Sequence, residues 1–70
     1  MVTFYKWLIS QNYRDDPVGD LARDILEDTN LPDKKTKNSL LSHISRTARP
    51  DAILAFHKAW LEYREFRKNR

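Results

Sequence analysis

The side chains able to do acid-base or nucleophilic chemistry do not stand in spacings typical of catalytic sites. His43 and His57 are the only histidines, and neither has the partners at short spacing that zinc sites and catalytic pairs need. The serines lack the strand-turn-helix context of a nucleophile elbow, and a single glycine excludes the common phosphate-binding loops. Cysteine is absent, so thiol catalysis and thiolate metal sites are excluded. We therefore expect a non-enzymatic protein with no cofactor, no metal and no small-molecule substrate.

A row of carboxylates is the most regular charged feature. Asp16, Asp20, Asp24 and Asp28 recur every fourth residue, which places them on one side of a predicted helix. Like charges at this spacing repel, so the row favours a compensating partner. A calcium site would need ligands that converge from a loop, which a straight helical row does not supply. We favour a solvated face, and the alternative makes Asp20 and Asp24 contacts to a basic protein surface.

Charge is divided along the chain. Residues 1–33 hold three basic and seven acidic side chains, whereas residues 34–70 hold ten basic and three acidic ones. Three interpretations remain open: the halves neutralise each other within the fold, acidic and basic faces associate between molecules, or the basic half binds nucleic acid. The candidate nucleic-acid contacts, which would displace counterions from phosphates, are Lys34, Lys35, Lys37, Arg46, Arg49, Arg64, Arg67 and Lys68.

These side chains are positioned by four predicted helices in a single domain, residues 1–70. The longest spans Pro50 to Arg67 and carries Ile53, Phe56, Trp60 and Tyr63 at helical spacing. Thr3, Asp16 and Thr36 are the predicted N-caps of the three shorter helices, and Pro17 suits a first helical position. The sequence therefore predicts an all-α fold, a compact bundle of three short helices and a longer C-terminal helix.

The three shorter helices each have a predicted buried face. Its members are Phe4, Tyr5, Leu8 and Ile9 in the first helix, Val18, Leu21, Ala22, Ile25 and Leu26 in the second, and Leu40, Leu41 and Ile44 in the third. Trp7 lies off the centre of the first face, so we expect it to pack at an edge or to cover a contact site. Gly19, the only glycine, predicts a close approach by another helix. Lys34 to Lys37 are expected to form an exposed basic connector.

Two leucines of the long helix point away from its apolar face. Leu54 and Leu61 stand seven residues apart beside Lys58 and Glu65. Either another helix covers them, which we favour, or they form an exposed apolar contact for a partner. They are the second set of candidate protein contacts, with Asp20 and Asp24.

The remaining composition favours a soluble cytoplasmic protein. No apolar run reaches the ~20 residues of a membrane-spanning helix. The start of the chain lacks the basic-then-apolar pattern of a secretion signal.

The order of the aromatic and aliphatic residues resembles a known family. Phe4-Tyr5-x-Trp7-Leu8, Leu31-Pro32, Leu40-Leu41-x-x-Ile44 and Ala55-Phe56-x-x-Ala59-Trp60-x-x-Tyr63 resemble the YozE family of small bacterial proteins over nearly the whole chain. Leu31 departs conservatively from the phenylalanine more common there. The resemblance implies a fold similar to sterile-alpha-motif (SAM) domains, and it supplies no catalytic residues.

SAM-like folds serve either protein association or nucleic-acid binding, and the charge division is compatible with both. We expect an interaction module that contacts an unknown protein partner or a second copy through acidic and basic faces. The alternative is a nucleic-acid-binding protein that uses the basic C-terminal half.

Overall fold

A computed structural model describes residues 2–47 and 50–69, and these form four α-helices and one 3-10 helix. The helix α1 spans Phe4–Ile9 and continues into the 3-10 helix Ser10–Tyr13. The others are α2, Pro17–Glu27, α3, Lys37–Thr47, and α4, Pro50–Lys68. The predicted all-α bundle with a longer last helix is confirmed. Of the helices in this described part, none is long and apolar enough to cross a membrane.

Side-chain caps fix where the helices begin. The Thr3 hydroxyl accepts a hydrogen bond from the Lys6 amide (3.2 Å), and the Asp16 carboxylate accepts one from the Gly19 amide (2.9 Å). Thr36 accepts one from the Ser39 amide in the same way (3.2 Å). Each cap satisfies a backbone donor that the first helical turn leaves without a partner. All three predicted caps are confirmed.

The core lies where α4 contacts the other three helices. Its buried members are Phe4, Trp7, Leu8, Val18, Leu21, Ala22, Ile25, Leu40, Ile44, Ala55, Phe56, Ala59 and Tyr63. Phe4 is central to it, because its ring lies 5.3 Å from that of Phe56, 5.1 Å from that of Trp60 and 5.4 Å from that of Tyr63, centre to centre. The Tyr63 hydroxyl also donates a hydrogen bond to the Val2 carbonyl at 2.5 Å. Val2 is thereby held against the last helix.

The sequence-based burial predictions for Trp7 and Leu26 are wrong. Trp7 is only 7% exposed, because the C-terminal turns of α4 cover it with the rings of Tyr63 and Phe66. Leu26 is 48% exposed. It lies at the edge of the α2 stripe, one position beyond Ile25, where the packing against neighbouring helices ends.

The backbone of Arg14 approaches Gly19 so closely that a side chain there would clash. The predicted close approach is therefore present, but it is not made by another helix. A Cβ atom at this position would lie 2.0 Å from the carbonyl oxygen of Arg14 and 2.9 Å from its Cβ atom. The chain between the 3-10 helix and α2 turns back over the first turn of α2. The contact is with backbone, which has little freedom to move aside.

We expect Gly19→Ala to destabilise the fold. Alanine in an open helix stabilises by up to ~1 kcal/mol relative to glycine. Here overpacking against Arg14 outweighs that gain, with a net loss of about 1–3 kcal/mol. Urea unfolding followed by circular dichroism measures the change. Ser42→Ala, at an exposed position of α3, is the control and should be neutral or slightly stabilising. A more stable Gly19→Ala variant would contradict the close approach.

Candidate interaction surface

Arg14 positions α4 against the start of α2. Its guanidinium donates to the Asp16 carboxylate at 2.7 and 3.0 Å, and to the Glu62 carboxylate at 2.6 and 3.3 Å. The hydrogen bond to Glu62 is the main reason that the pKa of Arg14 is raised. The Gly19 amide, followed by Arg14, lowers the pKa of Asp16. Sequence reasoning missed Arg14, because Glu62 is distant in the chain and no local pattern signals the pair.

A second polar contact joins the end of α2 to α3. The Oδ2 atom of Asp28 lies 2.7 Å from Nε2 of His43, and its Oδ1 atom accepts from the Asn30 amide at 2.8 Å. These two contacts, His43 first, lower the pKa of Asp28. The four aspartates of the row are therefore not equivalent. Asp16 and Asp28 hold the fold together, Asp20 forms an ion pair with Arg23, and Asp24 is exposed.

A half-open groove of about 700 Å³ lies between α2, α3 and α4. Its apolar lining consists of Pro17, Leu21, Ile25, Ile44, Ala52, Leu54 and Ala55. Its ionisable lining consists of Asp20, Asp24, Asp28, His43, Asp51 and Lys58. The groove brings together three of the four candidate protein contacts: Asp20, Asp24 and Leu54. Four carboxylates line the groove against the ammonium of Lys58 and the guanidinium of Arg23, which pairs with Asp20, so its rim stays net negative.

Leu54 and Leu61 are not covered by another helix, so the favoured prediction is wrong. Their exposed fractions are 70% and 59%. The other helices pack on the side of α4 that carries Ala55, Phe56, Ala59 and Tyr63, which leaves the two leucines in solvent. Seven residues make nearly two turns, so the leucines lie on one side of α4 about 10 Å apart. Leu61 shares a shallow depression with Arg64, Glu65, Arg67 and Lys68.

The candidate nucleic-acid contacts are only partly available to solvent. Lys35 and Lys37 are half-buried, with ammonium groups 5.9 Å from the Tyr5 ring centre and 4.6 Å from the Trp60 ring centre. Lys35 also donates to the Pro32 carbonyl. The prediction of an exposed connector is therefore wrong for both lysines. The exposed candidates are Lys34, Arg46, Arg64, Arg67 and Lys68. Arg49 lies outside the described residues.

Within the same described ranges, no three histidine, aspartate or glutamate side chains are grouped to hold a metal ion. The site is instead a combination of a groove, exposed leucines and charge. The groove opens at the junction of three helices, and the two leucines extend from it along α4. This geometry leaves apolar area and charged side chains exposed to solvent.

The helix order and the packing of the long last helix define a small SAM-like domain. The family model described as YozE SAM-like fold matches residues 3–65, and the chain belongs to this family. The predicted SAM-like fold is thereby confirmed. No curated protein and no solved structure matches the chain.

The lowered pKa values predict loss of stability in acid. An unfolded aspartate titrates near ~3.9, and folding lowers the pKa of both Asp16 and Asp28. Their stabilisation is complete above the unfolded pKa and is lost as the pH falls through the folded values. The urea midpoint of the wild-type protein should therefore decrease as the pH is lowered from about 5 through and below the unfolded pKa, and Asp16→Asn with Asp28→Asn should flatten this dependence. Asp15→Asn with Asp33→Asn, matched in charge, should keep it. Parallel profiles for all three proteins would contradict the assignment.

Proposed function

We propose that this chain is a non-enzymatic helical interaction module that contacts another protein through the α4 face carrying Leu54 and Leu61. The exposure of both leucines on one side of α4 is the observation that carries the proposal. Single exposed apolar residues are common on protein surfaces. Two large ones in line along a helix, next to an apolar groove, favour a contact site.

The energetics favour association at this face. Burying a leucine side chain contributes about 1.5–3 kcal/mol, whereas leaving it in water contributes nothing. The charged neighbours of the two leucines differ in sign: Leu54 borders the groove with its four carboxylates, and Leu61 lies among Arg64, Arg67 and Lys68. Complementary charge on a partner would orient the contact and accelerate encounter. The partner is a different protein or a second copy joined through acidic and basic faces.

Nucleic-acid binding is the second candidate. The exposed cations at the end of α4, Arg64, Arg67 and Lys68, support it. It ranks second because Lys35, Lys37 and Arg67 place their charges over aromatic rings of the same chain. Their use in the fold reduces the number of cations free to contact phosphates.

We expect Leu54→Asp and Leu61→Asp each to weaken association by about ten-fold or more, because a buried apolar contact is replaced by a desolvated carboxylate. Sedimentation velocity over a range of concentrations measures self-association. Quantitative affinity capture from an extract of the source cell measures association with other proteins.

Both variants should keep wild-type helicity and unfold within about 0.5 kcal/mol of the wild type, since both sites are exposed. Leu26→Asp is the control, because it places the same charge at an exposed leucine of α2. Two results would contradict the proposal: equal association of all three variants and the wild type, or unfolding of the α4 variants.

A further inference from the structure

The groove between α2, α3 and α4 combines an apolar surface with a negative rim. Leu54, the most exposed leucine, stands at its edge, and Ala52 is half-buried within it. Asp20 and Asp24 line the α2 side, and Asp51 lines the α4 side from the first helical turn. Lys58 is the single lysine among the lining residues.

We propose that the groove binds a cationic amphipathic helix of a partner protein, an inference that rests on the proposed function and names its partner chemistry. Apolar side chains of that helix pack on Leu54 and Ala52. Its lysine or arginine side chains lie beside Asp24 and Asp51, and they share Asp20 with Arg23 of this chain. A helix recognised in this way inserts anchors spaced by three, four and seven residues.

The size of the groove supports insertion of side chains. A volume of about 700 Å³ falls within the ~300–1,000 Å³ typical of ligand pockets. An α-helix with its side chains is ~10 Å across, so the backbone of the partner helix would remain above the groove. Only one face of the partner helix would be buried. The charge of the rim then selects cationic residues at the edges of that face.

The basic end of a second copy fits the groove less well. Leu61 is the one exposed leucine in that segment, and Glu65 adds a carboxylate beside it. A second copy would therefore supply a single apolar anchor and an unfavourable negative charge. A helix with two or three anchors and cations on both edges matches the groove more completely.

The probe is a fluorescein-labelled, helix-forming peptide of about 14 residues, made of alanine, leucine and lysine, long enough to form a helix on the protein. Its leucines occupy positions i, i+3 and i+7, and its lysines line both edges. Anisotropy titrations with the protein are made at about 150 mM salt, which suppresses long-range attraction. A peptide with glutamate in place of lysine is the ligand control.

We expect the lysine peptide to bind the wild-type protein saturably and the glutamate peptide not to bind. Asp20→Asn with Asp24→Asn should weaken binding by about five-fold or more, as expected from two exposed charge pairs. Leu54→Asp would remove apolar contact and add a negative charge, and these two changes have opposite effects on binding of a cationic peptide. Leu54→Ala removes apolar contact only, and it should weaken binding. Asp15→Asn with Asp33→Asn, matched in charge but outside the groove, should leave it unchanged.

Three outcomes would overturn the inference. They are the absence of saturable binding, equal weakening by the two charge-matched double variants, and self-association of the wild type that Asp20→Asn with Asp24→Asn abolishes. The last would assign the groove to a second copy. Leu61→Asp separates this inference from the proposed function, because Leu61 lies outside the groove. In one combination of results, the groove variants bind the peptide as well as the wild type does, and Leu61→Asp still loses association with the partner. This combination would refute the groove assignment alone.

Discussion

The packing of Phe4 against three aromatic rings of α4 is the contact on which the rest of the fold depends. A chain of this length buries only ~60% of the surface exposed when it is unfolded, so a few large side chains must supply most of the core. Phe56 and Trp60 meet Phe4 nearly edge to face. Tyr63 adds a hydrogen bond to the carbonyl of Val2. The short first helix is thus held by side-chain packing, since six residues form an unstable helix alone.

This arrangement determines which side of α4 remains free. The last helix is long enough to contact α1, α2 and α3, but all three contacts use the same broad side. Arg14 fixes the orientation further by joining Asp16 and Glu62. The opposite side then keeps Leu54 and Leu61 in solvent. Their exposure follows from how the helix is held. The charged groove lies beside Leu54, so the two ends of the exposed face differ in charge.

The sequence predicted the fold well because the relevant signals are local. Caps at Thr3 and Asp16 and the spacing of apolar residues depend on positions within one or two turns, and all could be recognised without tertiary information. The burial of Trp7 and the role of Arg14 could not, since both depend on residues near the other end of the chain. The candidate site was predicted in part: Asp20, Asp24 and Leu54 were selected for separate reasons. Their meeting in one groove required the packing of α2 against α4.

The proposed function requires that α4 keep its leucine-bearing face uncovered. Leucine methyl resonances measured in dilute protein with a soluble paramagnetic agent test it most directly. Strong broadening is expected for Leu54 and Leu61, together with protection of Leu8 and Leu40, which are fully buried. Protection of Leu54 and Leu61 to the level of these core residues would contradict it, because the face would then be closed within the chain.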